Sequence, residues 1–477
     1  MLNDSINNIS GGNNQFLPNA VKSEQYYHYE MMQPPQYPVA IQPVGNETVI
    51  VLGAGYDSAL GMPSSQSLIP KIVDYLQTDE GKMVDAQLRK NLKRLNFSFD
   101  KFVSNAIDRL ARDLDPELET ICRNIKTELD SNPELTEETR KTGNLIFRIF
   151  KKILDVKAGA AIDEETEALI QEVFGTDVKD DSIIDFTKIP YTETFKVIVI
   201  SILQRSMREN ENPILRHVYR NLLDIEKLLA QYFYGFYSGK DTYIKTYLYI
   251  SWMMWAYLVH EEQRVREKIA NQSVSTPSLS TILQEHHCGV ISFNYTSFAR
   301  EACSDALYFH GSLFDYVDIE NKNVFNFDNI TEIDLEDFFT NRLPEELCLS
   351  GDRRAIPIPS FLPPLRLKPV ISKDYITTWY KSGEMLRSAN RIILLGYSFA
   401  NPDDYFCDML RDNRDAHIII INKDVEGVAK NVCRVFQLSP SRYSRQTTDG
   451  IEHRTYNNRI EIIGENLSCF DLSKYLS

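Results

Sequence analysis

The chain has 477 residues, of which 43% are hydrophobic and 25% charged, proportions that fit a globular protein of two or three structural units. Its net charge of −15 argues against a broad nucleic-acid footprint and against attraction to anionic lipid, since both need clustered positive charge. The seven cysteines are scattered and none forms a C-x-x-C pair, so neither a disulfide framework nor a cysteine zinc site is indicated.

Residues 1–45 are rich in Asn, Gln, Pro and Tyr, lack a period, and read as a flexible tail without a signal peptide. At 48–52 the run TVIVL predicts a buried parallel strand, bounded at once by Gly53-Ala54-Gly55. The glycines let the backbone turn sharply and approach a ligand closely. A helix is expected after the caps Ser64, Ser65 and Ser67, with Leu68, Ile69, Ile72, Val73 and Leu76 on one face. Strand, glycine turn and helix N-terminus together predict an anion site. The G-x-G-x-x-G fingerprint is not met, because Ser58 stands where its third glycine belongs.

From about 81 to 280 the period is helical, with apolar residues three and four apart over 97–114, 137–156, 192–208, 212–238 and 241–269. Asp115-Pro116 and Asn132-Pro133 mark joints, and 163–187 is an acidic stretch that includes a solvated loop. The uncharged stretch 246–259 is too short for a comfortable membrane span. With its tyrosines and tryptophans, 243–259 reads as a core helix, with an oligomer or partner surface as the alternative.

The α/β pattern resumes at Gly289. Strands are expected at 290–293, 306–309, 391–395, 417–421 and 459–463, and a helix at 376–388; 314–360 reads as acidic and loop-like, followed by a proline-rich segment at 357–369. The fold expected is α/β, a Rossmann-like parallel sheet carrying a large inserted α-helical domain. Its parts are a tail (1–45), the first part of the sheet domain (46–80), the helical insertion (81–280) and the remainder of the sheet domain (281–477).

Several predicted strands end in small or polar residues: GAG at 53–55, NYT at 294–296, HGS at 310–312, GYS at 396–398 and NKD at 422–424. Ligands of open parallel sheets bind beyond the carboxyl ends of the strands, so these endings would pool in one crevice. His310 suits acid–base work near neutrality, and its plain alternative is a structural histidine at a strand end. Asn294 has a comparable alternative as a turn-forming side chain. His286-His287 reads as a helix end rather than a metal site, and Asp403-Asp404 as the first turn of a helix.

These motifs resemble the sirtuin-like superfamily, and more closely its NAD-cleaving branch in bacterial anti-phage defence; the spelling from Gly53 to Pro63 is also similar to abortive-infection proteins of the same broad group. The resemblance implies NAD as substrate and no metal. It implies that Gly53, Ala54 and Gly55 cradle the pyrophosphate through backbone N–H groups, with Tyr56 and Asp57 among the cofactor-binding residues of the same turn. Asn294 would orient the reacting ribose or the attacking water, and His310 would act as base or bond a ribose hydroxyl. Gly396 and Ser398 would meet a phosphate or ribose, and Asn422 the adenosine ribose. Asp57 departs from the serine of sirtuins proper, which leaves it to accept from a ribose hydroxyl or to hold the loop through backbone N–H groups. The zinc cysteines of sirtuin deacylases have no counterpart, which disfavours deacylation.

The activity expected is release of nicotinamide and ADP-ribose from NAD by a cytoplasmic toxic effector of defence. Homo-oligomerisation, a regulatory partner protein of the same defence system or a nucleotide activator would keep it under control. The alternatives are a non-catalytic NAD or ADP-ribose sensor and an assembly subunit.

Overall fold

The computed structural model describes residues 47–64, 67–103, 105–106, 116–133, 135–155, 225–236, 240–271, 286–327, 329–349, 354–361, 373–399 and 403–476, with isolated positions at 214, 217, 223 and 283. Strand β1 is Thr48–Leu52, an unbroken buried run. Gly53 then caps a short helix, α1 (Ala54–Leu60), which ends at Gly61 with φ +108°. This helix precedes the expected one, α2 (Leu68–Tyr75), and Ser67 is the N-cap of α2 without a side-chain capping bond. Its hydroxyl donates instead to the Ser64 carbonyl, so the serines hold the entry loop rather than the helix.

Helices α3 (Asp79–Asn91), α4 (Pro116–Ser131), α5 (Glu137–Asp155), α6 (Ile225–Phe236) and α7 (Asp241–Asn271) follow. The helices expected at 97–114 and 212–238 are described only in part. The helix expected at 192–208, the acidic stretch 163–187 and the tail 1–45 lie outside the described residues. On α7 every residue from Thr246 to Val259 is buried, which is the core reading of the aromatic stretch. Its indoles are anchored: Trp252 Nε1 donates to the Pro357 carbonyl at 2.9 Å and Trp255 Nε1 to the Leu313 carbonyl at 3.0 Å. Buried indole N–H groups need such acceptors. Among the described residues no helix is long and apolar enough to cross a membrane.

Next come β2 (Gly289–Ser292), α8 (Phe298–Ala302), β3 (Leu307–Tyr308), β4 (Gly311–Asp318), β5 (Val324–Asn326) and β6 (Pro357–Phe361). Strands β4 to β6 correct the loop-like reading of 314–360, for they form an antiparallel sheet in the order β5-β4-β6. Acidic residues and prolines hid it. Pro357 and Pro359 are tolerated because β6 is an edge strand, where a missing N–H costs no ladder bond. The apolar side chains of this sheet and of α2 to α7 share one core.

The last part holds α9 (Lys373–Ser388), β7 (Arg391–Leu395), α10 (Asp404–Asp412), β8 (His417–Ile421), α11 (Val425–Phe436), β9 (Ser444–Thr448), β10 (Ile451–Tyr456) and β11 (Ile460–Ile463). The main sheet runs β3-β2-β1-β7-β8-β11-β10-β9. Its first six strands are parallel, and β10 and β9 add antiparallel at one side. The β9–β10 hairpin was not expected, because every residue of β9 is exposed and carries no apolar alternation. Its signal was the turn Asp449-Gly450, with both φ values positive.

Both faces of the parallel sheet are covered. Val49, Val51, Ile291, Ile392, Leu394, Ile418 and Ile420 pack with side chains of α9, α10 and α11. The alternate residues Ile50, Leu52, Val290, Ile393, Leu395, Ile419 and Ile421 pack with α8 and the C-terminal turns. Burial on both faces is why these strands read as unbroken apolar runs. The order of the six parallel strands is that of the dinucleotide-binding doubly wound fold, and it reverses between β1 and β7. The described residues form one compact unit.

Candidate functional site at the carboxyl edge of the parallel sheet

At the reversal point the loops after β1 and β7 are packed together. Gly53 N–H donates to the Leu395 carbonyl at 2.9 Å, Gly55 N–H to the Gly396 carbonyl at 3.0 Å, and Tyr56 N–H to the Gly53 carbonyl at 2.9 Å. A Cβ on Gly53 would stand 2.6 Å from Tyr397 Cα, and one on Gly396, where φ is +68°, would stand 2.5 Å from Tyr56 N. The glycines therefore serve the approach of one loop to the other. The N–H groups of Gly53, Gly55 and Tyr56 are engaged within the protein, whereas Ala54 and Ser398 are exposed.

Beyond β2, the Asn294 amide donates to the Gly53 carbonyl at 3.0 Å and to Asp57 Oδ1 at 2.7 Å. Thr296 donates its hydroxyl to Asp57 Oδ2 at 2.5 Å. Asp57, Asn294 and Thr296 are all buried. The two oxygens of Asp57 accept from side chains of the β2 loop rather than from backbone N–H groups. Burial pushes its pKa up to about 7, against the opposing pull of the Thr296 bond, with repulsion from Glu262 adding to the rise and the Asn294 bond again opposing it.

The same loop is held from two further sides. Tyr308 donates its hydroxyl to the Thr296 carbonyl at 2.8 Å. Glu262 on α7, itself buried, accepts from Ser297 N–H at 3.1 Å, from the Ser297 hydroxyl and from Arg266 at 2.9 Å. Arg266 also pairs with Glu301. Burial holds the Glu262 carboxyl above the usual carboxylate range, although the Ser297 and Arg266 bonds pull it down.

His310 follows β3, and its Nε2 lies 2.7 Å from Asp403 Oδ2. Both residues are buried. The Phe293 ring meets the imidazole edge to face at a centroid distance of 4.9 Å, and the same ring lies 4.9 Å from Tyr397. Phe293 thereby stands between the histidine and the packed glycine loops. Asp403 is the N-cap residue of α10, as the helix-turn reading of Asp403-Asp404 had it, but its side chain makes no capping bond.

Six of the predicted residues fall into two groups. Gly53, Gly55, Asp57, Asn294 and Gly396 are in one cluster, and His310 is in a second, with Asp403. Ser398 and Asn422 follow β7 and β8. The Ser398 carbonyl accepts from Asn431 at 3.1 Å, and Asn422 Oδ1 accepts from Asp424 N–H at 3.0 Å. Sequence reasoning missed Thr296, Glu262 and the pairing of Asp403. Thr296 stood inside the quoted motif and could have been found there. Asp403 lies 93 residues from its histidine, a separation that leaves no local signal.

A cavity of 280 Å³ lies nearby between β3, β4 and α9, walled by Arg300, Tyr308, Ser312, Asp315 and Tyr375 among others. It shares Gly311 and Ser312 with the ending of β3 but includes neither Asn294 nor His310 in its wall. Among the described residues no group of three or more His, Cys, Asp or Glu side chains is arranged to hold a metal ion.

No family model matches the chain, and no curated protein does. Among solved structures it is similar to a Sir2 in complex with the inhibitor EX-527, 2'-O-acetyl-ADP-ribose and a deacetylated p53 peptide. That overlap has 15% identity and a TM-score of 0.23, over 34% of this chain and 69% of that one. It is also similar to a structure addressing sirtuin substrate affinity (16% identity, TM-score 0.23, 34% and 66% covered). A third, addressing the mechanism and regulation of Sir2 enzymes, overlaps at 14% identity with a TM-score of 0.23, covering 37% and 77%. Overlaps this slight do not place the chain in a family, and the strand order stands without them.

Proposed function

We propose that the protein binds NAD across the carboxyl edge of its parallel sheet and hydrolyses the nicotinamide–ribose bond. The observation that carries this reading is the pair of buried polar couples, Asn294 with Asp57 and His310 with Asp403, at the ends of adjacent strands β2 and β3. Both strands lie on the β1 side of the reversal between β1 and β7, at the carboxyl edge where ligands of doubly wound sheets bind. Water adds to C1′ of the ribose while the nicotinamide nitrogen departs with the bonding electron pair, giving nicotinamide, ADP-ribose and one proton. His310 receives a proton from the water or from a ribose hydroxyl, and Asn294, locked by Asp57, orients the ribose as positive charge develops on it. Asp57 is turned to Asn294 and Thr296, so its carboxyl oxygens are engaged within the protein. Ser398, exposed after β7, and Asn422 after β8 are the groups we assign to the phosphate and adenosine ribose.

The motif resemblance extends the proposal to a toxic effector of anti-phage defence that acts in the cytoplasm and is held in check by oligomerisation, a partner protein or a nucleotide. A second reading, a non-catalytic NAD or ADP-ribose sensor, is favoured by the burial of both Asn294 and His310. Turnover decides between them. Incubation with NAD is expected to yield nicotinamide and ADP-ribose in equal amounts, and Asn294→Ala or His310→Ala to abolish both. Full turnover by the two folded variants would remove these residues from the reaction. Ligand-induced stabilisation of the native chain without any product would favour the sensor.

A further inference from the structure

We infer that Asp403 is a positioning residue that fixes the His310 imidazole with its proton on Nε2, leaving Nδ1 as the ring nitrogen that carries the lone pair. An ionised carboxylate only accepts hydrogen bonds, so at 2.7 Å from Nε2 it requires that nitrogen to be the donor. Both partners are buried, which strengthens the bond by excluding water.

Two further observations fit this role. Asp403 sits at the N-cap of α10, where aspartate is favoured because its side chain bonds the first free N–H groups, yet no such bond is made. The carboxylate is turned to the histidine at the expense of the helix. The ring is also fixed by packing, with Phe293 edge-on at 83° and Phe309 at 5.8 Å. A carboxylate that orients an imidazole and selects its tautomer is a recurring way to prepare a histidine for proton transfer. The sequence offers the residue only as a helix start.

The consequence for catalysis rests on the NAD-cleavage reading above; the tautomer itself does not. The first test is therefore spectroscopic. In the full chain labelled with ¹⁵N-histidine, with the His310 signals identified by their loss in His310→Gln, long-range ¹H–¹⁵N spectra above neutral pH should show a protonated Nε2 and an unprotonated Nδ1. The opposite tautomer in the native chain overturns the inference. In Asp403→Asn, whose amide can donate to Nε2 as readily as accept from it, the His310 pattern should change to the other tautomer or a mixture; an unchanged pattern in the folded variant also overturns it. The native-chain spectrum keeps the test decisive should that variant fail to fold.

The second test is kinetic. Asp403→Asn should lower kcat for NAD by roughly 10²–10⁴-fold with KM changed by less than about threefold, while Asp403→Glu recovers part of the loss. A rise in KM with kcat intact would overturn the positioning role. Absence of turnover in the native chain, with the expected tautomer present, would reject NAD cleavage and leave the histidine–aspartate couple standing.

Discussion

Replacing Asp57 by asparagine should make the protein more stable, and increasingly so as the pH rises. The carboxyl is buried, and its pKa is raised from 3.8 to about 7, chiefly by burial. At about 1.4 kcal/mol per unit, the ionised form costs about 4 kcal/mol relative to the protonated form. For an acid whose folded pKa lies above its unfolded value, the folded state holds the proton over the intervening range while the unfolded state has released it. Unfolding free energy from this group therefore falls as pH rises from about 4 to about 7, and is level above that. Asparagine keeps the shape, can accept from Asn294 and can donate to the Thr296 hydroxyl, but does not titrate. Thermal or urea unfolding of both proteins between pH 5.5 and 8.5 reads the effect. The stability advantage of Asp57→Asn should grow by about 2 kcal/mol between pH 5.5 and 8 and then hold constant. Groups that do not interact with Asp57 titrate alike in both proteins and cancel in the difference. Parallel stability curves across that range would refute the placement of a strained, buried carboxyl at this turn.

Three other outcomes follow from the packing. Gly53→Ala or Gly396→Ala should each lower stability by roughly 3 kcal/mol or more, because the added methyl meets backbone atoms that cannot retreat, and Gly396 adds the strain of a left-handed φ; calorimetry would show it. Trp252→Phe should cost about 1–3 kcal/mol in urea unfolding, since it leaves the buried Pro357 carbonyl without its donor. Glu262→Gln should destabilise by a similar amount, about 1–3 kcal/mol, and should increase hydrogen exchange in the 294–297 loop, because Arg266 and Ser297 lose their charged acceptor. Exchange in that loop unchanged from the native protein would show that α7 does not hold it.

The parallel sheet was legible because its strands are buried on both faces. Thr48–Leu52, Arg391–Leu395 and His417–Ile421 have the bounds expected of them, each an apolar run stopped by glycine or a polar residue. Strands that obey other physics were not legible. β6 carries prolines permitted only by its edge position, and β9 is exposed along its whole length. The endings of β2 and β3 pointed to Asn294 and His310, since polar residues directly after apolar strands stand out. Their partners did not stand out. Asp57 was read as a ribose contact or a loop-holding group from its place in the resembled glycine turn, and its burial depends on Asn294 and Thr296 arriving from far along the chain. Asp403 looked like a helix start and is one, and only the three-dimensional fold brings it to His310. The aromatic stretch on α7 was read as core from its composition, and the anchoring of Trp252 and Trp255 on the second sheet supplies the reason.

A crystal structure of the chain soaked with ADP-ribose is expected to show the dinucleotide product stretched over the carboxyl ends of β2, β1, β7 and β8, with its terminal ribose between Asn294 and His310 and its adenosine ribose toward Asn422. ADP-ribose seated only in the 280 Å³ cavity between β3, β4 and α9, or lying with its terminal ribose away from both Asn294 and His310, would contradict the proposed NAD site.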